Sequence, residues 1–132
     1  MPNFEVIRRN FQPAAVGSAE TTTIYTAAKG QRVIAASMKL LTAAAASTSC
    51  TIEVGDAADT DGYVKGSDLD LETATVASIV AGTGDYFGTT YKAGKLYTAS
   101  TAITAKYVIG TPGATNPKVQ ISLVIVREFP AG

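Results

Sequence analysis

Histidine is absent from this chain of 132 residues. The chain therefore lacks the commonest general base at neutral pH and the commonest transition-metal ligand. Catalytic triads built on histidine and facial-triad metal centres are excluded. We predict that the protein is not an enzyme and that it needs no cofactor.

Cysteine occurs once, at Cys50, so the chain forms no intramolecular disulfide and no cysteine-based zinc cage. In the stretch "SCTIEV", Cys50 shares one face of a predicted strand with Ile52 and Val54. This placement favours a small buried hydrophobe over a nucleophile, because a reactive thiolate needs a basic partner nearby.

Charge is scarce and balanced. Charged residues make up 17% of the chain, and eleven basic side chains cancel eleven acidic ones. A neutral chain lacks the long-range field on which nucleic-acid and anionic-membrane binders rely. No apolar run approaches the roughly 20 residues that span a bilayer, and "MPNFEVIRRN" lacks the apolar stretch of a signal peptide. We predict a soluble protein made in a cytoplasm, with neither nucleic acid nor membrane as partner.

Alternation of apolar and polar residues dominates the remaining pattern. It predicts apolar faces on three strands, formed by Ile34, Ala36, Met38 and Leu40; by Ile103, Ala105, Tyr107 and Ile109; and by Val119, Ile121, Leu123 and Ile125. Loops rich in Gly, Asp, Asn and Pro separate the strands. The pattern predicts an all-β fold, an antiparallel β-sandwich or jelly-roll-like barrel of about eight strands.

Two stretches are less regular. The segment "DLDLETATVASIV" allows a strand or a short helix, and we favour the strand. The segment "LTAAAAST" is too short for a stable helix alone, so we predict a loop or a single turn. The sandwich is expected to form a single domain over residues 21–132, after an extended N-terminal arm over residues 1–20.

Acidic residues gather with glycine in "VGDAADTDGYV", where Asp56, Asp59 and Asp61 precede Gly62. The spacing resembles the start of a calcium loop, but no bidentate glutamate follows in register and the preceding segment is a strand. We predict no metal here and interpret the stretch as a turn, with aspartates capping backbone amides and glycines supplying turn dihedrals. An irregular calcium site made by the three aspartates is the alternative.

The N-terminal stretch "NFEVIRRNF" mixes apolar and basic side chains before Pro13 and Gly17 interrupt any long element. It predicts an arm that adds to the exposed sheet edge of a neighbour. The candidate partner-binding residues are Phe4, Val6, Ile7, Arg8, Arg9 and Phe11. The alternative is an ordinary edge strand of the chain's own sheet.

The order of segments across residues 21–129 resembles small head decoration (cement) or minor capsid proteins of tailed bacteriophages. The resemblance is carried by "VGDAADTDGYV", "GTGDYFG", "YTASTAITAKYV" and "KVQISLVIV". It implies a virion protein that binds the outer surface of the capsid and stabilises the shell by bridging capsid subunits. It also implies the major capsid protein as partner and self-assembly, commonly as a homotrimer. No catalytic residue comes with the resemblance.

Two other functions are compatible with the sequence. A glycan-binding or structural module of a phage fibre, tail or baseplate would place Tyr63, Tyr86, Phe87 and Tyr91 on a shallow aromatic platform. A metal enzyme of cupin-like architecture would use a double-sheet jelly roll, but the absence of histidine weighs against it.

Overall fold

The computed structural model describes residues 3–14, 19–44, 50–72, 76–88, 94–109 and 115–127. In these residues the chain forms eight β-strands and one 3₁₀ turn, Asp85–Phe87. The strands are β1 (Asn3–Phe11), β2 (Glu20–Ala27), β3 (Gln31–Thr42), β4 (Thr51–Gly55), β5 (Ile79–Ala81), β6 (Lys95–Leu96), β7 (Thr101–Val108) and β8 (Lys118–Arg127). Across the described ranges, no helix is long and apolar enough to cross a membrane.

The strands form two sheets. The larger has the order β1-β8-β3-β5, with β6 also paired to β3, and the smaller has the order β2-β7-β4. All pairs are antiparallel. Successive strands alternate between the sheets, apart from β5 and β6, which both lie on β3. This is the winding of a jelly roll, and it confirms the predicted β-sandwich.

The core lies between the two sheets and follows the predicted alternation. The inward residues of β8, namely Val119, Ile121, Leu123 and Ile125, are all buried. Ile103, Ala105 and Tyr107 of β7 are buried opposite them in the smaller sheet. Ile109 lies beyond the end of β7 and is half-buried.

The phase of β3 was only partly predictable. Ala36, Met38 and Leu40 face the core as expected, whereas Ile34 is half-buried and Val33 is fully buried. The pairing of β3 with β8 shifts register between Val33 and Ala35. A bulge of this kind adds one residue and moves the remaining side chains to the opposite face.

Of the two alternatives for the N-terminal stretch, the structure shows the edge strand. β1 pairs with β8 along its whole length, from Asn3 opposite Arg127 to Phe11 opposite Val119. Asn116 donates a hydrogen bond of 2.7 Å from its amide to the carbonyl oxygen of Pro13, which ties down the end of this segment. The segment Asn3–Phe11 therefore belongs to the sandwich rather than extending from it.

The two irregular stretches are only partly described. The predicted strand in "DLDLETATVASIV" is reduced to the three residues of β5, Ile79–Ala81, and its residues 73–75 lie outside the described ranges. β3 continues to Thr42, and residues 45–49 of the predicted loop also lie outside those ranges.

Candidate functional site

Asp56, the residue after β4, is the centre of a buried polar network. It is 1% exposed. Its Oδ1 accepts a hydrogen bond from the Tyr86 hydroxyl at 2.7 Å. Its Oδ2 accepts one from the Tyr97 hydroxyl at 2.9 Å and one from Lys95 Nζ at 2.8 Å. The network thus joins the loop after β4, the 3₁₀ turn and β6.

The same carboxylate also forms the turn that the sequence predicted. Asp56 Oδ1 accepts hydrogen bonds from the backbone amides of Ala58 and Asp59, both at 3.1 Å. The Asp56 amide in turn donates to the Asp59 carbonyl oxygen at 3.0 Å. An aspartate that caps its own loop in this way forms an Asx turn.

The three aspartates of this loop are not gathered around a common point. Asp56 faces the interior, whereas Asp59 and Asp61 are half-buried near the surface. A hydrogen bond with the Asp61 side chain, together with burial, raises the pKa of Asp59. Within the described part of the chain, no three His, Cys, Asp or Glu side chains are arranged to hold a metal ion.

Tyrosines form the wall around Asp56. The hydroxyls of Tyr63 and Tyr97 lie 2.6 Å apart. The rings of Tyr63 and Tyr86 meet edge to face with centroids 4.9 Å apart, an arrangement that stabilises aromatic pairs. Lys95 Nζ lies 4.5 Å above the centroid of the Tyr86 ring, within range of a cation–π contact.

Burial and hydrogen bonding set the protonation states of this network. Burial alone would raise the pKa of Asp56, but hydrogen bonds from Lys95, Tyr86 and Tyr97 outweigh it and hold that pKa below its usual value. Burial would lower the pKa of Lys95, and its contacts with Asp56 and Tyr86 raise it instead. Burial raises the pKa of Tyr86 to about 12 and also raises those of Tyr63 and Tyr97.

The arrangement is suited to holding loops together rather than to chemistry. Both oxygens of Asp56 are occupied by donors from its own chain, and its lowered pKa makes it a weak base. Buried tyrosines with raised pKa values keep their protons at neutral pH. A general base needs a pKa near the working pH and access to substrate, and this network offers neither.

Sequence reasoning placed Asp56 in a turn but missed its partners Lys95 and Tyr97. These two residues follow Asp56 by 39 and 41 positions along the chain. The pairing of β6 with β3, and the backbone hydrogen bond from Tyr97 to Gln31, fix the position of these two residues in the fold. A lysine and a tyrosine close together in "KLY" carry no local signal for a buried carboxylate.

The aromatic platform proposed for a glycan site is wrong in the described residues. Tyr63 and Tyr86 are buried, with their hydroxyls hydrogen-bonded inside the protein. Phe87 is half-buried against Tyr63, with ring centroids 5.5 Å apart. Tyr91 lies outside the described residues. Tyr63 and Tyr86 are part of the hydrophobic core, and Phe87 packs against it.

Cys50 is buried beside Ile52 and Val54, as predicted. Its Sγ lies 3.2 Å from Glu72 Oε1, and its backbone amide donates to the same oxygen at 3.0 Å. The thiol is thus enclosed next to a carboxylate rather than next to a base.

The N-terminal candidate residues divide between the two faces of β1. Ile7 and Phe11 are buried in the core of their own chain, so they are not available to a partner, contrary to the sequence interpretation. Phe4 and Val6 point away from the core and are 63% and 49% exposed. Arg8 and Arg9 are also exposed.

Phe4 and Val6 extend into an apolar surface on the outside of the larger sheet. Phe4 lies opposite Val126, and Val6 lies opposite Val124, on β8. Val124 in turn lies opposite the exposed Ala35 on β3. We call these five residues the outer patch. It covers three adjacent strands, and Arg8 lies at its border on β1.

Two solved structures share this fold. The first is a chain of the cyanophage Pam1 capsid asymmetric unit, with a TM-score of 0.69 and 16% identity over 96% of this chain and 86% of that chain. The second is a chain of the "Acidic stable capsid structure of Helicobacter pylori bacteriophage KHP30", with a TM-score of 0.58 and 15% identity over 97% of this chain and 94% of that chain. At these identities the likeness shows a common fold.

No protein-family model matches the chain. No curated protein matches it either. The alignments with the two capsid chains nevertheless cover most of both partners. The shared fold therefore extends over nearly the whole of this chain and most of each capsid chain.

Proposed function

We propose that this protein is a non-enzymatic structural component of a bacteriophage virion, which binds the outer surface of the capsid and stabilises the shell by bridging capsid subunits. The observation that carries the proposal is the full-length likeness of its fold to chains of two phage capsid structures. The segment pattern of the sequence supports the same class independently. The major capsid protein is the proposed partner.

The internal chemistry of the chain is consistent with this role. The most elaborate polar cluster of the described residues is satisfied within the molecule, where Tyr86, Lys95 and Tyr97 donate to Asp56. Such a network fixes loop positions without offering a reactive group. A shell-binding protein needs a rigid module of this kind, because binding of a preorganised surface avoids the entropy cost of ordering loops.

The outer patch is the surface that we assign to the shell. Phe4 and Val6 are large side chains exposed on the outer face of the larger sheet, where apolar area costs free energy until it is covered. The outer face of the smaller sheet differs, since it carries Thr21, Thr23 and Lys106. Many copies bound side by side on a lattice would add their modest individual affinities.

Co-sedimentation tests this function. Purified protein is mixed with shells of its phage that were assembled without it, and the pelleted fraction and the temperature of shell disruption are measured. We expect saturable binding and a higher disruption temperature. Binding that does not saturate, or shells with unchanged disruption temperature, would contradict the proposal.

A double substitution locates the binding surface. Phe4→Ser with Val6→Ser removes the two large exposed side chains of the outer patch, and each large side chain buried on binding contributes about 1.5 to 3 kcal/mol. We expect shell binding at least tenfold weaker. The matched control is Thr21→Ser with Thr23→Ser on the outer face of the smaller sheet, which should bind like the unmodified protein.

A further inference from the structure

One edge of the larger sheet is formed by a long strand, β1. β1 spans nine residues without proline, and in the described part of the chain it pairs only with β8. The Arg9 guanidinium donates a hydrogen bond to the Arg8 carbonyl oxygen at 3.0 Å. A side chain, rather than a neighbouring strand, thus satisfies this backbone acceptor. Long edge strands present unpaired backbone groups that a further strand can pair with.

The charges of β1 restrict how it can pair with itself. Two identical antiparallel strands in one sheet are related by a two-fold axis perpendicular to it, and residues that lie opposite each other share a face. A two-fold centred on Glu5, Arg8 or Arg9 would place that charged side chain opposite its own copy, which is unfavourable. Centres nearer the ends of the strand leave few residues paired.

A two-fold centred on Ile7 is the complementary register. It pairs all nine residues of β1, because Ile7 lies midway between Asn3 and Phe11. Glu5 then lies opposite Arg9 of the second copy, and the pair occurs twice by symmetry. Both side chains are exposed in the single chain and so are accessible to a partner. A centre on Val6 leaves Glu5 opposite Ile7 and forms no charge pair.

We propose that β1 pairs antiparallel with β1 of a second copy about a two-fold centred on Ile7, which joins the two larger sheets into one continuous sheet. The inference deepens the proposed function by naming how copies meet, and it rests on that function only for its purpose in the virion. The joined sheet would carry two outer patches on one face, which suits a bridge between two capsid subunits. It replaces the trimer implied by the family resemblance with a dimer.

A charge exchange tests the pairing. The mass of the purified protein is measured by sedimentation equilibrium, and we expect a dimer at micromolar concentrations. Glu5→Arg alone, or Arg9→Glu alone, sets like charges opposite each other at two places and should weaken the dimer on the order of tenfold. The double exchange Glu5→Arg with Arg9→Glu restores both pairs and should restore the dimer.

The double exchange also separates this contact from one within the chain. Glu5 and Arg127 line the same small pocket at the end of the sandwich. If attraction between Glu5 and Arg127 within one chain supported the dimer, that support would be lost in Glu5→Arg. It would not return in the double exchange, because changing Arg9 does not restore the pair with Arg127. Lys39→Glu is the control, since it reverses a charge on the same sheet away from β1 and should leave the dimer unchanged.

Disulfide trapping tests the register without relying on charge. When the two-fold is centred on Ile7, Val6 lies opposite Arg8 of the second copy. When it is centred on Val6, Val6 lies opposite Val6 of the second copy. We expect that a mixture of the Val6→Cys and Arg8→Cys proteins forms a covalent dimer under mild oxidation, while neither protein does so alone. Strand partners lie within the range of Cα separations that a disulfide spans.

Three results would overturn the proposal: a monomer at high micromolar concentration, a trimer, or a dimer that neither responds to charge exchange nor forms the mixed disulfide. These results are distinguishable from failure of the proposed function. A protein that dimerises through β1 but does not bind shells leaves the pairing intact and removes the virion role. A protein that binds shells as a monomer keeps the virion role and removes the pairing through β1.

Discussion

Lys95 Nζ lies 2.8 Å from Asp56 Oδ2, and this contact holds β6 against the loop that follows β4. The carboxylate is buried, while the lysine side chain retains 19% exposure. Removing one partner of such a pair leaves a charge in a poorly solvated place, which costs more than the pair itself contributes. The end of the sandwich therefore depends on Asp56.

Asp56→Asn should destabilise the protein by about 3 kcal/mol, because Lys95 loses its counter-charge and the two tyrosine hydroxyls lose a charged acceptor. Urea unfolding at neutral pH measures the loss, with an unchanged dependence on urea concentration. Asp85→Asn changes an exposed residue of the 3₁₀ turn and should alter stability by less than about 0.5 kcal/mol. An unfolding free energy that is unchanged in Asp56→Asn would contradict a structural role for the network.

Acid should narrow the difference in unfolding free energy between the unmodified protein and the Asp56→Asn variant. The pKa of Asp56 is lowered from its ordinary 3.8, so its stabilising contribution is present above that pH and is lost as pH falls through the folded-state value. The raised pKa of Asp59 acts in the opposite direction, but it is common to both proteins. A gap in unfolding free energy that stays constant down to the acid transition would contradict this assignment.

Alkali should unfold the protein cooperatively through its buried tyrosines. Folding raises the pKa values of Tyr63, Tyr86, Tyr97 and Tyr107 above their ordinary 10.0, chiefly by burial. Above pH 10 the unfolded chain releases protons that the folded chain retains, so stability falls by about 1.4 kcal/mol per group and pH unit. Four groups then remove roughly 5 to 6 kcal/mol by pH 11, which is comparable to the whole stability of a small domain.

Tyrosinate absorbance and circular dichroism, followed together during an alkaline titration, check this expectation. Most tyrosinate should appear in the same transition as the loss of β structure. Gradual ionisation near pH 10 with the fold intact would show that these rings are accessible to solvent.

Gly84→Ala should destabilise the protein by about 1 to 3 kcal/mol through overlap alone. The backbone of Gly84, at φ −62° and ψ 166°, is one that alanine adopts freely. A Cβ at this position would, however, overlap the carbonyl oxygen of Gly62 in the acidic loop. Thermal melting compares it with Gly88→Ala at the end of the same turn, where the nearest atom lies 3.3 Å from the added Cβ, so a shift of a few tenths of an ångström suffices and a smaller loss is expected. Equal melting temperatures would show that the two loops are not in contact.

The glycines of the acidic loop show why sequence reasoning found the turn and mistook its cause. Gly55 and Gly62 were assigned to unusual dihedrals, yet the positive φ values among the described glycines belong to Gly30 and Gly94. Gly55 and Gly62 are required for space instead. A Cβ at Gly55 would overlap the Asp59 carbonyl oxygen, and one at Gly62 would overlap the Tyr86 ring. Local sequence reports that a turn occurs, but not what packs against it.

The sequence by itself determined the all-β class, the inward faces of β7 and β8 and the burial of Cys50, because alternation and β-branched composition act over neighbouring residues. The tertiary structure alone decided that Asn3–Phe11 lies at the edge of its own sheet, that a bulge buries Val33, and that Lys95 and Tyr97 reach Asp56. These features depend on which strands become neighbours. Strand pairing joins residues far apart in the chain, and no local pattern encodes it.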